Sequence, residues 1–237
     1  MFRSFRLGRI AGFPIDVNPS FLLLLAIVAL TMGGAAGVIA VLVAFASVIA
    51  HELGHALVAR HLGVRVSSIE LHFFGGAAKI VDQPRTPGHE IAIAAAGPAV
   101  SFVIAGVALL LAQVAFAPLF GGLAWINLLL GGFNLIPALP MDGGRILRAL
   151  LTRRMGHLRA TETAVVIARG FAVALGLYGV VTFGLYLILL AVLLWMMSAA
   201  ELQVARHQAI YSAGVGLHRV EVLPRRGVRW TRDRFVG

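Results

Sequence analysis

The sequence contains no cysteine, which excludes disulfides, thiolate metal ligands and cysteine nucleophiles together. Charge is nearly as scarce: 13% of the 237 residues are Asp, Glu, Lys or Arg, against 59% hydrophobic residues and a mean hydropathy of +0.92. That balance excludes an ordinary soluble domain, in which about a quarter of residues are charged. No cleavable leader is visible, because "MFRSFRLGRIAGFPIDVNP" has a polar start but lacks an apolar core and a small-residue cleavage site. The first apolar segment is therefore expected to stay with the chain. No internal repeat and no low-complexity linker interrupts the sequence.

What is present is a succession of long uncharged runs, at 19–50, 91–134 and 170–200. A spanning helix needs about 20 apolar residues, so these runs predict an all-α polytopic membrane protein with about six transmembrane helices, near 19–33, 36–60, 90–116, 119–137, 161–179 and 182–200. Residues 1–200 read as one membrane domain and 201–237 as a short basic tail, beginning as a helical continuation in "ELQVARHQAIYS".

The placement of basic residues tests that count. Nineteen of the twenty lie before the first run, between the second and third, between the fourth and fifth, or after the sixth; only Arg169 falls inside a predicted span. The three opposite connections, "TMGGAAG", "FAPLFGG" and "YGVVTFG", carry no charge. Cytoplasmic loops carry the excess of Lys and Arg, so six spans with both termini in the cytoplasm are expected. The net charge of +10 then marks the face that meets anionic lipid of the bilayer, and nucleic acid is not an expected partner.

Against this apolar background, "SVIAHELGHALVAR" at 47–60 puts His51, Glu52 and His55 inside the second predicted span. Ionisable groups there cost a few kcal/mol each on insertion scales unless paired or metal-bound, so they mark function. Residues four apart share a helix face, and both imidazoles can hold one cation. His-Glu-x-x-His on a helix is the zinc-protease arrangement, in which the glutamate does not ligate and serves as the base. Arg60 marks the cytoplasmic end of the span, which places His55 and His51 roughly 7 to 14 Å inward at 1.5 Å per residue.

A catalytic zinc site takes a third protein ligand and keeps one position open. His72, His89, His157 and His218 are candidates by element but lie in connections or the tail. Asp142 is the better candidate. It sits in "GGFNLIPALPMDGGRILRALL", 131–151, where glycines and prolines prevent a regular helix from running to its end. Its position before Gly143 also suits an N-cap for a helix over 143–154; beside the histidines the ligand reading is the stronger.

At these residues the sequence resembles the site-2 proteases, intramembrane zinc metalloproteases. "HELGH" matches the family's His-Glu-x-x-His, "NLIPALPMDGG" its Asn-x-x-Pro-x-x-x-x-Asp-Gly element, and "FGGAAKI" and "AAAGP" lie between them in the expected order. The resemblance covers most of 8–200 and is to the compact type without a PDZ domain. It implies one Zn2+ held by His51, His55 and Asp142, Glu52 as general base, and Asn134 as an orienting or oxyanion-stabilising residue. It also implies hydrolysis of peptide bonds in or near a substrate's transmembrane segment, with an anti-sigma factor or another single-pass regulator as the substrate. Many members carry an asparagine soon after the Gly-Pro of the third span, where this chain has Ser101, so that supporting contact is expected to differ.

The connection 64–85, "VRVSSIELHFFGGAAKIVDQPR", predicts a small membrane-associated β-hairpin between helices 2 and 3, with Gly75 and Gly76 as the turn signal. A transmembrane helix must unwind before its peptide bonds can be attacked, and a strand edge offers replacement hydrogen bonds. Gly75 and Gly76 are therefore expected to contact substrate, and the resemblance adds Asn134 and Pro137, from its Asn-x-x-Pro element, as expected substrate-contacting residues. Arg169 is expected to snorkel to the inner interface, with an acidic partner as its other reading; His89 and Glu90 are expected to be solvated at the start of the third span. Two further classes are compatible with polar residues in spans: a metal transporter, which needs ligating residues in both leaflets, and an inert scaffold, which has no need of Glu52 beside a ligand pair. Oligomeric state is not legible.

Overall fold

A computed structural model of the chain describes residues 4–31, 34–72, 75–82 and 84–215. Seven helices and four strands follow in the order β1 (Phe5–Ile10), β2 (Phe13–Val17), α1 (Pro19–Thr31), α2 (Ala35–His61), β3 (Val66–His72), β4 (Gly75–Ile80), α3 (Pro87–Leu111), α4 (Ala117–Asn134), α5 (Asp142–Met155), α6 (His157–Val181) and α7 (Leu185–Val215). Among the described residues, α2, α3, α4, α6 and α7 are long and apolar enough to cross a membrane. The first predicted span corresponds to α1, an apolar helix of 13 residues, and α7 runs without a break past residue 200.

The expected hairpin is present as β3–β4, an antiparallel pair in which His72 faces Gly75 and Glu70 faces Ala77. Residues 73 and 74, between the two strands, lie outside the described residues. Gly75 and Gly76 thus open a strand instead of forming the turn, and the reason lies across the fold. A Cβ on Gly76 would stand 2.8 Å from Val48 Cγ1 and 3.2 Å from Glu52 Cγ, so glycine lets β4 lie directly on α2.

The sheet is larger than the sequence predicts. β1 and β2 form a second antiparallel hairpin, and β2 pairs in parallel with β3, giving the order β1-β2-β3-β4. Parallel neighbours need a long crossover, which α1 and α2 supply. β2 alternates cleanly: Phe13, Ile15 and Val17 are buried and pack with Phe21, Phe45, Ala56, Ile69 and Leu71 in one cluster. The period of two is present in "FPIDV", but five residues beside a charged strand give little sequence signal; burial against α2 decides it.

The helices meet through small residues. A Cβ on Gly54 would lie 2.8 Å from the Ala96 carbonyl oxygen and 2.9 Å from Val100 Cγ2, so the glycine inside "HELGH" brings α3 against α2. Small interface residues allow such approach between apolar helices. Gly143 and Gly144 do the same for α5: a Cβ on either would collide with the backbone of 135–139. The broken segment after α4 therefore folds tightly over the start of α5.

Candidate metal centre

His51 and His55 project from the same face of α2, and Asp142 reaches them from the first residue of α5. Asp142 Oδ2 lies 3.1 Å from His51 Nε2 and 3.2 Å from His55 Nε2. The exposures of the three residues are 2%, 5% and 6% for His51, His55 and Asp142, so water cannot serve them freely. The N-cap alternative for Asp142 does not hold. Met141 occupies the cap position and no side chain caps the helix; the carboxylate turns to the imidazoles instead. At the first turn of α5 it also sits at the positive end of a helix dipole.

Each imidazole is fixed from behind. His55 Nδ1 is 2.7 Å from the Ile93 carbonyl oxygen, so that nitrogen carries the proton and Nε2 presents a lone pair. His51 Nδ1 lies 3.0 Å from Ser101 Oγ, and Ser101 is fully buried. Contacts of this kind hold metal-binding histidines in one tautomer and orientation. Ser101, expected as a departure, makes the supporting contact to His51 itself.

Gly97 is the further residue that sequence reasoning missed. A Cβ there would collide with His55 Nε2 and stand 2.6 Å from His51 Nε2. The signal was available in "AAAGP", but a glycine beside a proline in an apolar helix reads as a packing or bending residue until the imidazoles are placed against it.

The donor set fits zinc. Two neutral imidazole nitrogens and one carboxylate oxygen converge, and a four-coordinate zinc with bonds of about 2.0–2.2 Å holds its ligand atoms about 3.3–3.5 Å apart. The spacing of 3.1 and 3.2 Å lies close to that. His51, Glu52 and His55 also form a metal-capable group by themselves, with their ligand atoms within 4.8 Å of one another. Glu52 stands beside the cluster, and its Oε2 accepts a 2.9 Å hydrogen bond from the backbone N–H of Ala78 on β4. The sheet thereby fixes the glutamate, while helix α2 fixes the histidines.

A cavity of about 320 Å³ opens onto these groups; Gly76, Ala78, Asn134 and Arg145 contribute to its wall, and Met197 and Glu201 close it from α7. Asn134, at the last residue of α4, donates one amide hydrogen to the Leu130 carbonyl at 2.9 Å. Pro137 is exposed and lies outside the cavity wall, where Pro140 and Met141 take part instead. Glu90 is not simply solvated: it pairs with Arg148, which also reaches Glu201 at 3.2 Å.

The family model for peptidase family M50 matches residues 38–118 and 111–177. A zinc metalloprotease of Methanocaldococcus jannaschii is 37% identical over 216 residues, 88% of this chain and 63% of that protein. Rip3 of Mycobacterium tuberculosis is 39% identical over 206 residues, 76% of this chain and 52% of that protein. The chain thus spans between about half and 63% of the length of these relatives. The solved structure of a site-2 protease from Methanocaldococcus jannaschii superposes with a TM-score of 0.68 at 37% identity, covering 84% of this chain and 95% of that one. With five helices of membrane-crossing length on the same scaffold, the chain is a multi-pass membrane protein and belongs to peptidase family M50, the site-2 proteases.

Proposed function

We propose that this chain is an intramembrane zinc metalloendopeptidase that cuts peptide bonds in or beside transmembrane segments of other membrane proteins. The observation that carries the reading is the convergence of His51, His55 and Asp142 at one buried point, with Glu52 beside them and facing a cavity. His51, His55 and Asp142 hold the metal. When bound, zinc supplies Lewis-acid polarisation and a water acidified to near neutrality.

Glu52 takes a proton from the attacking water and returns one to the leaving amide nitrogen. Its hydrogen bond to Ala78 keeps the carboxylate turned toward the site through one oxygen, and the other has no hydrogen bond among the described residues. Asn134 has a second amide hydrogen beyond the one given to Leu130; it steadies the charge that develops on the scissile carbonyl oxygen. β4 is an edge strand whose outward N–H groups replace the hydrogen bonds that the substrate helix loses on unwinding. Gly76 keeps that edge flush with α2, and Gly75 and Pro137 act at the margin of the same path.

The substrate class is a membrane-spanning protein, and a single-pass regulator such as an anti-sigma factor fits it. Both termini face the cytoplasm, because the basic residues gather on their side, and residues 201–237 form a basic segment at that surface after the membrane domain 1–200.

Cleavage of a panel of single-pass segments in liposomes, wild type against Glu52→Gln, with zinc measured on both, tests the reading. The expected result is zinc in both proteins and a loss of about 10²–10⁴ in the rate for the variant. Undiminished cleavage by Glu52→Gln removes the glutamate from the mechanism, and absence of zinc from both removes the ligand set.

A further inference from the structure

Arg169 stands alone in the apolar part of the molecule. It is the thirteenth residue of α6, a helix of 25 residues that is long enough to cross the membrane. Its guanidinium carbon lies 4.8 Å from the centre of the Trp195 ring on α7, and its Nε is buried with no hydrogen-bond acceptor among the described residues.

Snorkelling to the inner interface does not account for this position. The pair Arg206–Glu162 joins the same two helices nearer the charged end. Gly176 and Ala191 lie level, a Cβ on the glycine standing 3.4 Å from the alanine's; counting back toward the charged end at 1.5 Å per residue, Arg169 lies about 10 Å from that level and Trp195 about 6 Å. The guanidinium therefore stacks on a ring anchored further from the interface than its own Cα. It is directed along the bilayer interior, where an ionised side chain is costly unless it faces a partner.

The described residues do not supply that partner. Among the described residues every other carboxylate is engaged: Asp16 with Arg6, Glu52 with Ala78, Glu70 with Lys79, Asp82 with Arg65, Glu90 and Glu201 with Arg148, Asp142 with the histidines and Glu162 with Arg206. A second copy brings the same engaged carboxylates among its described residues, which favours a different partner. Trp195 is 43% exposed, and Val166 and Val173, one turn either side of Arg169, are exposed as well, as is Val192 on α7. The cation thus sits at the rim of an open apolar face, not inside the bundle. Lipid chains satisfy the valines but cannot satisfy the guanidinium.

We propose that Arg169 and Trp195 form an intramembrane docking site for a partner transmembrane helix carrying a carboxylate near mid-bilayer. The carboxylate accepts from the guanidinium, the indole holds the guanidinium flat through its π face, and the apolar flanks pack along the partner helix. The surface lies outside the cavity wall, so it selects or retains a helix independently of its cleavage.

Binding tests this without relying on proteolysis. The full chain with Glu52→Gln is placed in zwitterionic vesicles with a fluorescent host helix of about 20 Leu and Ala residues bearing one central Glu, Gln or Leu, and association is read by energy transfer. The Glu helix is expected to associate about ten-fold more tightly than the other two. Arg169→Gln abolishes the difference, Arg169→Lys keeps part of it, and Arg169→Glu transfers the preference to a host helix bearing Lys. The charge reversal also guards against a variant that merely misfolds. Equal association of the three helices with the wild-type surface overturns the proposal, as does discrimination that survives Arg169→Gln. Association that follows added phosphatidylglycerol and not the guest residue assigns the guanidinium to a lipid headgroup instead. Self-association that Arg169→Gln removes assigns it to a second copy.

Discussion

Two polar clusters, one buried and one half-buried, share helix α5, and they are built on opposite plans. Asp142, in its first turn, meets His51 and His55; Arg148, six residues on, lies between Glu90 of α3 and Glu201 of α7. The second cluster closes on itself: one guanidinium donates to two carboxylates, binding three helices together. The first is built otherwise: the Nε2 atoms of two imidazoles, that of His55 an acceptor because its Nδ1 donates to the Ile93 carbonyl, meet a carboxylate oxygen at one point. Satisfied ion pairs hold a fold, whereas convergent lone pairs call for a cation.

That contrast is breakable from both sides. The largest effect is expected at Gly97. An added methyl meets the movable ends of His51 and His55, so Gly97→Ala should displace the imidazoles and lose both zinc and activity while the helices persist by circular dichroism; full zinc occupancy would show that the glycine serves packing alone. Arg148→Gln should do the reverse. It leaves Glu90 and Glu201 without their cation; removing one partner of a fully buried pair costs about 3–5 kcal/mol and of an exposed pair about 0–1, so this half-buried cluster should fall between the two. Denaturation in detergent should show the loss, with zinc retained in the folded fraction. A stable variant would mean that water serves those carboxylates.

Ser101→Ala is a finer test of the first cluster. It removes the contact behind His51 Nδ1 and should weaken zinc about 10–100-fold, measured by competition with a chelator, with little change in folding. Ser101→Asn, which keeps a hydrogen-bonding side chain, should restore part of that affinity. An unchanged affinity for the alanine variant would assign the orientation of His51 to Asp142 alone.

The smallest effect belongs to an exposed pair at the base of the hairpin. Arg65 gives Asp82 two 2.8 Å hydrogen bonds, and these hold the Asp82 carboxyl down at about 2. A lowered carboxylate stabilises the fold above its ordinary range, near 4, and loses that contribution as pH falls through about 2. The melting difference between wild type and Asp82→Asn should therefore be slight at neutral pH and shrink further on the acid side. A difference that grows on acidification would contradict the pairing.

Much of this was legible without coordinates. The spans follow from uncharged length, and the site from ionisable residues that a bilayer otherwise excludes. His51, Glu52 and His55 announce themselves by i, i+4 spacing, and Asp142 by a segment too rich in Gly and Pro to continue as helix. The β1–β2 hairpin was not legible. Its strands are short and one is fully exposed, and its pairing with β3 spans more than fifty residues. Glu90 was misread as solvated because its partners lie 58 residues away on α5 and, through Arg148, on α7.

The division has a physical cause. Sequence alone determined what the bilayer and helical periodicity enforce locally: that helices cross, which of their residues are too polar to be there by accident, and that two histidines share a face. Tertiary structure decided everything that depends on approach between distant segments. It put Ser101 and the Ile93 carbonyl behind the imidazoles, and it required glycine at 97 because two rings lie against it. It laid Gly76 on Val48 so that an edge strand could hold Glu52, and it left Arg169 stacked on a tryptophan at an open face. Local spacing records the period of a helix; it carries no record of which helix will come within 3 Å.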